Sequence, residues 1–351
     1  MNSLGKEWLV YIGTYSEPSS EGIVWARVNP VTGEIRRAGG ISGIANPSYL
    51  TADAARQRLY AVSETDRSTV VSFRVDPATG ALARLNERPT NGAAGCHVHL
   101  DADRSCLLAA NYSGCNAVAF PILEDGTLGE GGSEVRHEGS GPNRERQEMP
   151  HPHCIVTDPS NRFAFVADLG IDQVVVYRLD AKAAKLTRHG SVSVKPGAGP
   201  RHLVFHPDKP FAYLINEIDS TVTVFHYDAE EGRLEERQTV SALAAQQRNT
   251  SAAIHLSPDG RFLYASNRGE DSIAVFRIDG QEGTLARIET VSSGGRTPRD
   301  FRITPDGKFL LAANQDSNNI AVFTVNSETG RLERTVYGLE LPKPVCVQFY
   351  G

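Results

Sequence analysis

Among the charged residues of this chain, Arg201 and Glu217 make the pairing with the most chemistry in it. They stand near the two ends of GPRHLVFHPDKPFAYLINEID (residues 199–219). In that stretch an apolar run, a Pro-Asp turn and a second apolar run fold the chain back on itself. The two side chains therefore end adjacent strands and can meet. One reading is an ion pair that pins the hairpin. The other is a carboxylate general base beside an anion-binding guanidinium. Arg268 holds the position equivalent to Glu217 one repeat later, near both. Two arginines around one carboxylate keep it ionised. An ionised carboxylate can activate water, while spare guanidinium donors hold a substrate anion or a developing oxyanion.

Histidine supplies a second group. His151 and His153 in HPH, and His97 and His99 in HVH, are each two residues apart, so each pair points to one side of a strand. Imidazoles from neighbouring repeats suggest zinc, but the registers differ. His97 aligns with Cys154 rather than with His153, and no carboxylate with ligand spacing accompanies them. The expectation is no metal and no cofactor, with a channel histidine that donates a proton or hydrogen-bonds a substrate. The run NRERQE (residues 143–148) suits a solvated surface, yet it lies between two histidine-bearing strands, and Arg146 or Gln147 is expected to touch ligand. There is no G-x-S-x-G elbow, P-loop or G-x-G-x-x-G after a strand. Serine-nucleophile hydrolysis, nucleotide binding and hydride transfer therefore lack support.

The elements that must position these residues repeat along the chain. The second apolar run of each copy ends near Thr14, Ser63, Asn111, Asp168, Asn216, Asn267 and Asn314, at steps of 49, 48, 57, 48, 51 and 47 residues. Each copy reads as an apolar run, a turn such as HPDK or SPDG and a second run. A hinge, an alternating third run such as TVTVFHY or NIAVFTV, an acidic Gly-containing turn and a more polar fourth segment follow. Four short strands repeated about every 50 residues are the signature of a propeller blade. The C-terminal PVCVQFYG reads as a first strand with nothing after it, and the N-terminal WLVYIGTY as a second strand with none before it. The two ends are expected to share one blade, which makes a closed, all-β, seven-bladed propeller of four-stranded antiparallel sheets over residues 1–351 as a single domain.

Strand order places residues on faces. The start of each first strand and the end of each second strand return to the same rim. The first-strand starts are Ser48-Tyr49, Cys96-His97, His153-Cys154, Arg201-His202, Ala252-Ala253 and Arg299-Asp300. The residues just past the second strands are Tyr15, Glu64, Tyr112, Leu169, Glu217, Arg268 and Gln315. Two connections that break the period, residues 137–151 and 241–251, open on this rim, whereas the opposite face receives Pro-Asp turns. Such long loops inside a compact fold suit function. A concave mouth with convergent polar groups suits a ligand, and His97, Arg146, Gln147, His151 and Arg299 are the expected substrate contacts.

Bulk properties narrow the partners. The net charge of −6 favours no nucleic acid. No run reaches the roughly 18 apolar residues of a membrane span. The five cysteines include no C-x-x-C pair, which argues against a disulfide framework or structural zinc. The start MNSLGKEWLVYIGTYSE lacks the basic start and long apolar core of a signal peptide. A cytoplasmic location and a monomer or weak homo-oligomer are expected.

Three stretches carry a resemblance: RQEMPHPHCIVTDPSNRFAFVADLGIDQVVVYRLD, GAGPRHLVFHPDKPFAYLINEIDSTVTVF and IHLSPDGRFLYASNRGEDSIAVF. With YIGTYSE near the start, the chain resembles the propeller lactonase family. That family contains 6-phosphogluconolactonases and fungal carboxy-cis,cis-muconate lactonising enzymes. The resemblance covers essentially the whole chain. It implies a metal-free site of one histidine, two arginines and one glutamate, which fall on His153, Arg201, Arg268 and Glu217. It also implies hydrolysis of a sugar lactone, in which Glu217 acts as base on water, Arg201 and Arg268 hold a phosphate or the oxyanion, and His153 protonates the ring oxygen or orients the water. The alternatives are a carboxymuconate cycloisomerase, and a scaffold propeller without turnover.

Overall fold

The computed structural model of the protein describes residues 7–351. The first six residues of the N-terminal stretch read above lie outside the described residues. Regular structure among the described residues is strand throughout, arranged as seven sheets of four antiparallel strands. β-branched and aromatic runs such as TVTVFHY form strands because their side chains pack on both faces of a half-buried pleated surface.

One sheet joins the termini. Its order is β28 (Pro344–Tyr350), β1 (Trp8–Thr14), β2 (Ile23–Val28) and β3 (Ile35–Ile41), so the last strand is the inner edge of the blade that the first strand begins. Pairs such as Tyr11 with Gln348 and Ile12 with Val347 close the ring. Closure removes the open sheet edges that an extended array would expose. The inner strands of neighbouring blades touch all the way round. Between blades lie separate apolar cores, for example Phe165, Leu203, Leu214 and Phe225 in one and Tyr264, Phe301, Leu310 and Phe323 in another.

A further bond recurs between blades. The hydroxyls of Tyr11, Tyr60, Tyr213 and Tyr264, each on the second strand of a blade, donate to Gly80, Gly126, Gly283 and Gly330 in the outer turn of the next blade, at 2.8–3.2 Å. Gly330 has φ +75°, and a Cβ there would lie 2.4 Å from the Phe262 ring. Both facts require glycine at this turn. No helix among the described residues is long and apolar enough to cross a membrane. None of the five cysteines is bonded to another.

Candidate active site

Five of the seven inner strands carry, near their start, a bulge that sets one side chain apart. In β16 (Pro200–Phe205), Pro200 opposes Asn216 and His202 opposes Ile215, which leaves Arg201 as an extra residue without a partner on β17 (Phe211–Asn216). The same bulge sets apart His153 in β12 (Pro152–Thr157), Cys96 in β8 (Gly95–Leu100), Arg299 in β24 (Pro298–Ile303) and Val345 in β28. A bulge re-aims a side chain, and these five line one small pocket at the mouth of the central channel together with Glu64 and His202.

Glu217 reaches the same place from the other strand of the hairpin. Buried Asn216 donates to the hydroxyls of Thr221 and Thr223 at 2.9 and 3.0 Å, and the Glu217 amide donates to Gly199 O at 2.7 Å. The side chain that follows is thus held over the channel. The Arg201 Nε and Arg268 Nη2 atoms both lie 2.9 Å from Glu217 Oε2, and Arg146 Nη2 lies 2.5 Å from Oε1. One carboxylate therefore receives three guanidiniums, from two strands and a loop.

The two loops that break the repeat build this cluster. In the first, Gln147 is fully buried. Its amide donates to Leu169 O and Asp172 Oδ1, both at 2.8 Å, and its oxygen accepts from the Asn143 amide. Asp172 Oδ1 also accepts from the Gly199 amide, two residues before Arg201. Gln147 thereby fastens the loop beside β16, and its neighbour Arg146 spans the gap to Glu217 and Tyr112. In the second loop, Thr250 O and Ser251 O accept from Arg268 at 3.4 and 3.1 Å, while the Ser251 amide donates to Glu217 O at 3.1 Å.

Charge sets the protonation states. Burial pushes the Glu217 carboxyl up, but Arg268, Arg201 and Arg146 outweigh it and hold the group well below its ordinary value. Burial lowers Arg268 to about 10, opposed by Glu217. Burial, with Arg201 and Arg299 nearby, drives His153 well below 6.5, so its imidazole is neutral, and Glu217 acts in the opposite sense. His153 Nδ1 is 3.8 Å from Cys96 Sγ. Its Nε2 has no hydrogen-bond partner among the described residues and keeps accessible surface.

The remaining expected contacts lie in three places. Arg299 lines the pocket and its guanidinium sits 5.1 Å from the centre of the Tyr15 ring. His151 stacks on Tyr112 at 4.2 Å, donates from Nδ1 to Tyr112 O at 3.0 Å, and pairs with Glu148 at 3.3 Å. It buttresses the rim behind His153. His97 lies one layer deeper, between Tyr49 at 4.2 Å and His202 at 5.5 Å, with Nε2 3.6 Å from Cys154 Sγ. His202 in turn accepts from Arg201 Nη1 at 3.2 Å. Together His97, His202 and Tyr49 form a floor that separates the mouth from a wider pocket of about 450 Å³ opening on the opposite face. No group of three or more metal-ligating side chains is placed to hold an ion among the described residues.

Sequence reasoning left Tyr112, His202 and the trio Tyr15, Glu64 and Arg299 without a joint role. Tyr15, Glu64 and Tyr112 occupy the same repeat position as Glu217, and that register was the signal that could have found them.

The profile of the lactonase family with a seven-bladed β-propeller matches residues 9–349. A curated 6-phosphogluconolactonase of Bacillus subtilis is 38% identical over 298 residues, which is 84% of this chain and 84% of that protein. A solved propeller of Bacteroides fragilis, provisionally named a 6-phosphogluconolactonase, superposes with a TM-score of 0.93 at 39% identity and 99% coverage of both chains. The periplasmic gluconolactonase of Pseudomonas aeruginosa superposes with a TM-score of 0.92 at 33% identity, again over 99% of each chain. The channel mouth with its bulge-selected arginines and histidine is therefore the mouth of a family fold, and this chain belongs to the lactonases built on a seven-bladed β-propeller.

Proposed function

We propose that the protein hydrolyses a sugar δ-lactone, 6-phosphogluconolactone foremost, to the open-chain acid. The pocket at the channel mouth is the site of that reaction. The observation that carries this reading is the composition of the channel mouth. Four guanidiniums and two carboxylates lie in and around its pocket, and one neutral imidazole keeps an open nitrogen. Such a site attracts an anionic substrate and stabilises an oxyanion. The relatives named for 6-phosphogluconolactone and gluconolactone supply the ring chemistry.

The chemistry divides among these residues as follows. Water attacks the lactone carbonyl carbon, and the carbonyl electrons move onto oxygen beside Arg268 and Arg201. Arg201, Arg268 and Arg146 already engage both oxygens of the Glu217 carboxylate, whereas Nε2 of His153 is open. The water proton, which the resemblance gives to Glu217, therefore goes to His153 in this mechanism. Its neutral imidazole takes the water proton as the carbon–oxygen bond forms. The tetrahedral intermediate then collapses, the bond from carbon to the ring oxygen breaks, and the imidazolium returns the proton to that oxygen. Glu217 stabilises the transient imidazolium and holds Arg201, Arg268 and Arg146 in place. Base catalysis and oxyanion stabilisation each supply roughly two to four powers of ten in rate.

Hydrolysis of freshly prepared 6-phosphogluconolactone, followed as acid release at constant pH, tests the proposal. A rate no faster than the spontaneous one refutes it. Turnover of carboxymuconate in its place would assign the cycloisomerase reaction. A cytoplasmic location belongs to this proposal and accords with five unpaired cysteines. Recovery of the native protein in a periplasmic fraction would overturn it.

A further inference from the structure

The half of the pocket that the hydrolytic steps leave unused is lined by Arg299 and Glu64, and Tyr15 touches both. It differs from the Glu217 half in one respect: its charges are unpaired. The Arg299 guanidinium lies over the Tyr15 ring at 5.1 Å. Among the described residues it has no hydrogen-bond partner and no carboxylate within 4 Å, and its nitrogens keep accessible surface. The Glu64 carboxylate is half-buried and receives a single donor, the Tyr15 hydroxyl, at 3.1 and 3.2 Å from its two oxygens. Tyr15 thus touches both a cation, through its ring, and an anion, through its hydroxyl. Arg201, Arg268 and Arg146, by contrast, all close on Glu217.

An ionised carboxylate has about four acceptor positions, and the phenol fills one. A guanidinium that is partly withdrawn from water and unpaired favours an anion. We propose that Glu64, Tyr15 and Arg299 form the subsite that selects the substrate. Glu64 accepts hydroxyl protons of a polyhydroxylated lactone, and Arg299 holds an anionic group carried by the same molecule. The proposal rests on the hydrolytic reading of this pocket and deepens it. It also separates substrate classes. A phosphorylated sugar lactone offers hydroxyls to Glu64 and an anion to Arg299. A planar tricarboxylate would bring a like charge against Glu64. The competing view of the Tyr15–Glu64 bond is a latch between the terminal blade and the blade that follows it. A latch would affect every ligand alike.

The test compares ligands within each variant. For Glu64→Gln and Tyr15→Phe, kcat/KM is measured with glucono-δ-lactone and with δ-valerolactone, which has the ring but no hydroxyls. Calorimetric affinities for gluconate and 6-phosphogluconate are measured for Glu64→Gln and Arg299→Gln. Glu64→Gln is expected to lower the ratio of the two kcat/KM values by roughly 10- to 100-fold, the range for hydrogen bonds to a charged group. Arg299→Gln is expected to weaken 6-phosphogluconate by a similar factor. If gluconate weakens equally, the anion held is the carboxylate, and if it does not, the anion is the phosphate. A ratio that stays within about twofold of the parent, or 6-phosphogluconate affinity indifferent to Arg299, overturns the subsite. A protein that hydrolyses neither lactone yet binds 6-phosphogluconate through Glu64 and Arg299 keeps the subsite and loses the hydrolytic reading. A protein that binds neither acid loses the subsite.

Discussion

Replacing Glu217 by glutamine tests the centre of the site. The substitution keeps shape and one acceptor oxygen but removes the charge that three guanidiniums share. The side chains of Arg201 and Arg268 are 3% and 13% exposed, so they cannot recover their solvation in water, whereas Arg146 at 36% can in part. Breaking a buried pair costs about 3–5 kcal/mol. The retained acceptor and the exposure of Arg146 favour the lower end, about 3 kcal/mol. For a chain of 351 residues the entropy of unfolding is about 0.7 kcal/mol/K, so the melting temperature should fall by about 4 °C. The carboxyl is held below its ordinary value of 4.5 in the folded state. Its contribution is therefore complete above that value and is lost as pH falls through the folded pKa. The gap between variant and parent should stay constant around neutrality and narrow only in acid. Inorganic phosphate should stabilise the variant more than the parent, because it can take the vacated place among the arginines. Hydrolysis should fall roughly 100- to 1000-fold, the scale for losing one transition-state charge contact. Scanning calorimetry and acid-release kinetics read both effects. A variant that melts within about 1 °C of the parent and keeps more than a tenth of its rate refutes the clamp.

The pH profile is a second test. Burial, Arg201 and Arg299 hold His153 neutral well below 6.5, so the acid limb of kcat/KM should lie well below that value. A bound anionic substrate offsets the arginine charges and should move the limb of kcat to higher pH; coincident limbs would contradict the assignment of His153. Burial lowers His97, His153 and His202 well below 6.5 and His99 and His255 to about 4. Each takes up a proton more readily when unfolded, so stability should decline as pH falls below 6.5. His99→Gln should reduce the slope by up to about 1.4 kcal/mol per pH unit, measured by denaturant titration, and an unchanged slope would count against its neutral burial. Tyr264→Phe deletes the 2.9 Å bond to Gly330 O, and should lower the melting temperature by about 2 °C without altering kcat/KM. An unchanged melting point would show that water replaces the hydroxyl.

The sequence by itself determined the blades, their number and the closure of the ring, because these rest on local information. Strand alternation, Pro-Asp turns and Gly-containing turns act over a few residues, and an unmatched strand at each end leaves one way to complete the last sheet. Arg201 and Glu217 were legible together for the same reason: one hairpin carries both, and their 2.9 Å contact follows from its fold-back. Only the tertiary structure decided which of two adjacent residues faces the channel. The bulge turns Arg201 and His153 into the mouth and leaves His202 and Cys154 in the next layer, a one-residue choice that composition does not encode. It also decided that Arg146 crosses to Glu217 while its neighbour Gln147 is buried as the anchor of the loop, and that His97 belongs to the floor rather than the mouth. Tyr15, Glu64 and Arg299 come from three different blades and meet only once the ring is closed. Their contacts depend on distances between segments far apart in the chain, and the side-chain pattern of one strand holds no record of its neighbours across the channel.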